Sequence, residues 1–139
     1  MTSLIAYRKH IDATYTRDLR LPDAPQGQQA GQELCTLADG RTVVALFDGF
    51  TLPAQQHAEI VASIEPLGLT DALREEIKAA SPHVRLINQR VQAAIAERYS
   101  ITDEIKLIRT APSPEMEAYN AYAEECRAWG RAERAKLGL

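Results

Sequence analysis

The sequence predicts an α+β fold: a small N-terminal antiparallel β-hairpin or meander, followed by a C-terminal half of four to five helices. Three observations predict it. An Asp-Gly pair stands between two apolar, β-branched runs over residues 34–47. Beyond residue 69, apolar side chains recur at helical spacing. The segments that carry this spacing open on helix-start chemistry at Thr70, Ser81-Pro82, Ser100 and Ser113-Pro114. A chain of 139 residues fits one domain, 1–139, and its 45% hydrophobic and 25% charged content is ordinary for a globular protein.

The β-rich and loop-rich part covers residues 1–53. "HIDATYTRDLRL" alternates Ile11, Ala13 and Tyr15 against Asp12, Thr14 and Thr16, the period of a strand. "RLPDAPQGQQAGQ" (20–32) carries two prolines, two glycines and four glutamines, so it reads as a loop or an extended arm. In "ELCTLADGRTVVALFDG" (33–49), Leu34 and Thr36 lead into Asp39-Gly40, and Thr42 to Phe47 follow. Asp-Gly there favours a type I′ turn, which needs positive φ at both central residues. A second Asp-Gly, at 48–49, ends the second strand.

The helical part covers residues 54–139. Pro53 opens a short helix within "LPAQQHAEIVASIE" (52–65), the alternative being that Thr51 and Leu52 continue the sheet, and Pro66 with Gly68 breaks the chain. Thr70 caps "DALREEIKAA", whose Leu69, Leu73 and Ile77 are spaced by four. Ser81-Pro82 starts a helix to about Arg98, with Val84, Ile87, Val91, Ala94 and Ile95 on one face. Ser100 with Asp103 forms an acidic capping box ahead of Ile105 and Ile108. The last helix follows Ser113-Pro114 and carries the stripe Met116, Tyr119, Ala123 and Cys126, with Tyr122 and Trp129 on its shoulder.

The only tryptophan, Trp129, precedes Gly130 inside that last helix. A mid-helix glycine costs about 1 kcal/mol relative to alanine. Close approach of another element offsets this, because no Cβ stands in the way. The pair is therefore expected to be a packing site within the chain, with the indole covering a neighbouring element. The alternative is an anchor for a partner protein, for which Trp129, Gly130, Tyr119 and Tyr122 are the candidate residues.

Several function classes lack support. Net charge is −3, which gives no electrostatic pull toward nucleic acid or an anionic membrane. The segment from Glu33 to Glu65 holds five acids against one base, Arg41, and is read as a solvated surface. Charged residues interrupt positions 8–20, no secretory signal is read there, and no apolar run approaches bilayer length. Cys35 and Cys126 are expected to be free thiols, with Cys126 a buried small hydrophobe on its stripe. His10, His57 and His83 lie in different elements without metal-ligand spacing. "GQQAG" (27–31) lacks the Lys-Ser/Thr of a phosphate loop. Arg85 and Arg90 sit among Asp71, Glu75, Glu76 and Glu97, so no basic stripe emerges. No catalytic, cofactor-binding or metal residue is assigned.

The stretches "ERYSITDEIKLIR" (97–109), "CRAWGRAERAKLGL" (126–139) and "ADGRTVVALFDGFTLP" (38–53) resemble small proteins encoded among the tail genes of phages and prophages. That resemblance implies a non-catalytic role at the tail or tail fibre, as a structural component or an assembly chaperone. It implies a tail or tail-fibre protein as partner, the host cytoplasm during assembly as location, and the virion tail as a later one. It transfers no site residue, and it is compatible with a homo-oligomer. The alternative is a small phage-encoded enzyme, or a modulator of a host system, with a site assembled from distant residues such as His83, Arg85 and Glu97.

Overall fold

In a computed structural model of the chain, which describes residues 1–139, the α+β prediction is met. A four-stranded antiparallel sheet in the N-terminal half is followed by helices. The strands are β1 (Ser3–Tyr7), β2 (His10–Ile11), β3 (Thr16–Arg17), β4 (Gly31–Thr36), β5 (Thr42–Leu46) and β6 (Glu65–Pro66). The helices are α1 (Ala58–Val61), α2 (Asp71–Ala80), α3 (Pro82–Arg98), α4 (Ile101–Thr110) and α5 (Pro114–Lys136). The chain forms two compact units. The first comprises Met1–His83 with Lys136–Leu139, and the second Val84–Ala135.

The sheet of the first unit has the order β4-β5-β1-β6. Its central strand β5 is buried at every position, because both of its faces are covered. Leu4, Val43, Ala45 and Cys35 point to one face, where they meet Leu34, Leu37 and Ile77, with Leu69 and Leu73 packed around them. The spacing of four that defines α2 in the sequence is thus its sheet-facing edge. Tyr7 and Val44 point to the other face and meet Ile60 from α1, flanked by Leu19 and Ile64. Leu137 and Leu139 also pack on the first of these clusters.

The β4–β5 hairpin forms where the sequence places it, with Thr36 opposite Thr42. Its turn is of a different kind from the one expected. Gly40 has φ +91°, but no non-glycine residue has positive φ, so Asp39 does not take the first left-handed position of a type I′ turn. The Gly40 N–H donates to the Leu37 carbonyl at 3.0 Å, and the Leu37 N–H donates to the Arg41 carbonyl at 2.7 Å. This is the three-residue loop that ends in a left-handed glycine bulge. Asp39 is instead held by Arg41, whose backbone N–H and Nε donate to its carboxylate at 3.0 and 2.9 Å. Those bonds keep the Asp39 carboxyl below its usual range. The ladder shifts register between Glu33 and Cys35, which lets the adjacent Leu34 and Cys35 both be buried.

Strand β1 is a central strand that the sequence reading passed over. The alternating segment read as a third strand forms instead a separate two-stranded ribbon, β2–β3, with His10 opposite Arg17. Residues 20–30 are irregular, and Gly31 and Gln32, taken as part of that loop, begin β4. The helix expected over 52–65 contracts to the single turn α1. Pro66, read as a chain break, closes the edge strand β6, where a missing N–H is tolerated.

Helix starts follow the local rules. Thr70 Oγ1 accepts the Leu73 N–H at 3.2 Å. Ser100 Oγ accepts the Asp103 N–H at 3.1 Å while Asp103 Oδ2 accepts the Ser100 N–H at 3.0 Å, a complete capping box. Ser113 Oγ accepts the Met116 N–H at 3.1 Å ahead of Pro114.

Candidate protein-contact site

The site is built in the second unit from α3, α4 and α5. Helices α3 and α5 run antiparallel. Along their seam Arg134 Nη1 donates to Asn88 Oδ1 at 2.8 Å, and the Tyr122 hydroxyl donates to the Ala94 carbonyl at 2.9 Å. Between these points the helices cross at Gly130, which is buried. A Cβ on Gly130 would stand 2.7 Å from Val91 Cγ2 and 3.8 Å from Ile87 Cγ2. The glycine therefore does what the sequence suggested: it lets the α3 face come close.

Trp129 departs from the packing expectation. Successive helical residues point about 100° apart, so when Gly130 faces α3 the indole is turned toward the flank. Trp129 is 42% exposed. With Val91, Ala94, Tyr122, Glu125 and Cys126 it lines a hollow of about 250 Å³. Cys126 is thus half-buried at the hollow rather than sealed in a core, and both cysteines are free thiols. In the first unit, burial pushes the Cys35 thiol up, with Glu76 and Glu33 adding to it. Val91 also borders a more polar hollow of about 360 Å³ with Asn88, Gln92, Ile95, Arg127 and Arg134.

An aromatic cluster stiffens the end of the seam. The Tyr99 and Tyr119 rings meet edge to face at 4.9 Å, and Tyr99 lies 6.0 Å from Tyr122. The Arg98 guanidinium sits 4.6 Å over the Tyr122 ring. Desolvation raises the Tyr122 phenol above its ordinary value, and a hydrogen bond to Cys126 adds to the effect. Desolvation also raises Tyr119, helped by the neighbouring Glu104. Of the four candidate partner residues, Gly130 is therefore covered by α3, and Tyr119 and Tyr122 are half-buried in this cluster. Trp129 presents a free face.

Helix α4 supplies what the candidates from sequence missed. Its capping box starts it as read, but Ile105 and Ile108 are not packed away. Ile101 is 77% exposed, Ile105 46% and Ile108 66%, and α4 has no buried residue. The three lie at i, i+4 and i+7, one stripe along one face. Periodicity picked out Ile105 and Ile108; only tertiary structure shows that the stripe is left largely in solvent.

His83, Arg85 and Glu97 do not converge. All three lie on α3, and fourteen residues separate the first from the last, about 21 Å along a helix. The His83 ring pairs with the Gln32 side-chain amide at 2.9 Å. A different set does gather in the first unit. Arg17 Nε lies 3.7 Å from Glu59 Oε1, and Arg20 Nε donates to His57 Nε2 at 3.4 Å. The Glu59 backbone N–H, then Arg17, His10 and His57, keep the Glu59 carboxyl below its usual range. His57 and Glu59 thus share one electrostatic neighbourhood. No group of three or more His, Cys, Asp or Glu side chains is placed to hold a metal ion. No helix is long and apolar enough to cross a membrane.

In comparisons with known proteins the chain matches no family model, no curated protein and no solved structure.

Proposed function

We propose that this protein works without catalysis, by protein–protein contact through its helical second unit, as a structural component or assembly chaperone of a phage tail or tail fibre. The observation that carries the contact reading is α4: a capped, regular helix that leaves three isoleucines on one face in solvent. Burying an isoleucine is worth about 1.5–3 kcal/mol, so a stripe of three has a strong drive to be covered. Contiguous exposed apolar surface of this kind marks interaction sites. The half-exposed tryptophan on α5 is of a residue type enriched among interface hot spots. The tail as destination rests on the sequence resemblance of residues 38–53, 97–109 and 126–139.

The test is capture from cells in which a phage carrying this gene is induced. The tagged wild-type chain is expected to retain a tail or tail-fibre protein, identified by mass spectrometry, and Ile105→Glu to lose it while melting like wild type. Capture of no tail protein by the wild-type chain, or equal capture by Ile105→Glu, would remove this reading.

A further inference from the structure

The second unit carries both halves of a contact. One is an apolar stripe, Ile101, Ile105 and Ile108, left largely in solvent. The other is an apolar hollow between α3 and α5, edged by Trp129 and floored by Val91, Ala94 and Cys126. At about 250 Å³ the hollow falls below the roughly 300–1,000 Å³ of small-molecule pockets, and suits inserted side chains instead. We propose that the first occupant of this hollow is a second copy of the chain, whose α4 lays its isoleucine stripe against Trp129 and Val91. This deepens the contact reading given above and rests on it.

Charge supports the choice of occupant. The hollow's rim bears Glu125, an exposed acid on α5. Helix α4 bears Arg109, also exposed, four residues after Ile105 and hence on the same face. Seating α4 in the hollow brings a cation of one copy to a carboxylate of the other. Area supports a reciprocal arrangement. A single ten-residue helix in one hollow falls short of the roughly 1,200–2,000 Å² that a stable interface buries. A two-fold pair places α4 of each copy in the hollow of the other and so doubles the contact, as an isologous interface requires.

The test is sedimentation equilibrium of the purified chain over a concentration series. Wild type is expected to approach twice the 15.4 kDa chain mass as concentration rises. Ile105→Glu and the milder Ile105→Ser are expected to weaken association at least tenfold with an unchanged melting temperature. Glu125→Lys and Arg109→Glu should each weaken it several-fold, and the double variant should restore it, because only the proposed seat pairs these two residues. An equimolar mixture of Ile105→Glu with Trp129→Ala should associate better than either variant alone, since the mixed pair keeps one intact seat. A chain that stays at 15.4 kDa at every concentration overturns the proposal. So does a dimer indifferent to Ile105, or a charge-swapped double variant that stays weak. A chain that never dimerises yet captures a tail protein through Ile105 would end this proposal and leave the contact reading standing.

Discussion

Ile77 on α2 and Ile108 on α4 are the same residue in helices of equal length, each opened by a hydroxyl cap. Ile77 is fully buried against a sheet, whereas Ile108 is 66% exposed. The first unit closes on itself: Val43, Ala45, Ile60 and Ile77 have no solvent contact, and both sheet faces are covered. The second unit has a seam between α3 and α5 but leaves α4 and Trp129 open. Caps and periodicity decide that a helix forms. They do not decide whether its apolar face meets its own chain or another one.

The largest expected effect lies in the closed unit. Ile77→Ala should destabilise by roughly 2–5 kcal/mol, the range for deleting a buried aliphatic side chain. Ile108→Ala should stay within about 0.5 kcal/mol, as exposed substitutions do. Chemical denaturation of both variants measures the contrast, and equal losses would break the comparison.

Gly40→Val should follow, at about 2 kcal/mol on the scale of strained backbone. The glycine sits at φ +91°, which a β-branched residue resists. The new side chain also displaces the Arg8 guanidinium, whose Nη1 donates to the Asp39 carbonyl at 2.7 Å. An unchanged denaturation midpoint would contradict the bulged turn.

Gly130→Ala sharpens the account of the seam. Helix propensity favours alanine by about 1 kcal/mol, while a methyl 2.7 Å from Val91 Cγ2 forces the helices apart. Overpacking of this kind costs about 1–3 kcal/mol, so a net loss of about 1 kcal/mol is expected. Val91→Ala in the same chain should recover part of it. A stabilised Gly130→Ala would mean that the helices are free to separate.

The smallest effect concerns pH and α4. Bonds to the Ser100 backbone and hydroxyl hold Asp103 below its usual 3.8. A carboxyl depressed on folding stabilises fully above its unfolded value, and that contribution fades as pH falls through the folded one. Amide protection in residues 101–110, taken relative to the intrinsic exchange rate at each pH, should therefore fall below about pH 3.8. Asp103→Ala should remove that pH dependence and leave α2 unaffected.

Much of this fold was legible because its signals are local. Thr70, Ser100 with Asp103, and Ser113 cap the helices that their sequences announce, and Leu69, Leu73 and Ile77 face the sheet as spaced. Strand β1 was not legible: "SLIAY" is five residues long, lies beside Arg8 and Lys9, and is defined by pairing with β5. The turn at Asp39-Gly40 was placed but mistyped, since Arg41 binds the Asp39 carboxylate and only Gly40 needs positive φ. At the candidate site, Gly130 was readable from its cost in a helix. The exposure of Trp129, Ile101, Ile105 and Ile108 was not, because periodicity reports an apolar face and never what covers it.

The openness of the second unit can be read from its single indole. Trp129 is the only tryptophan in the chain, so emission and acrylamide quenching report the hollow alone. At high dilution the indole should emit as a solvent-exposed ring and be readily quenched. As concentration rises, emission should move to shorter wavelength and quenching should fall, and Ile105→Glu should abolish the change. An indole shielded at the highest dilution, or one equally quenchable at every concentration, would contradict an open surface that is closed by contact with a second copy.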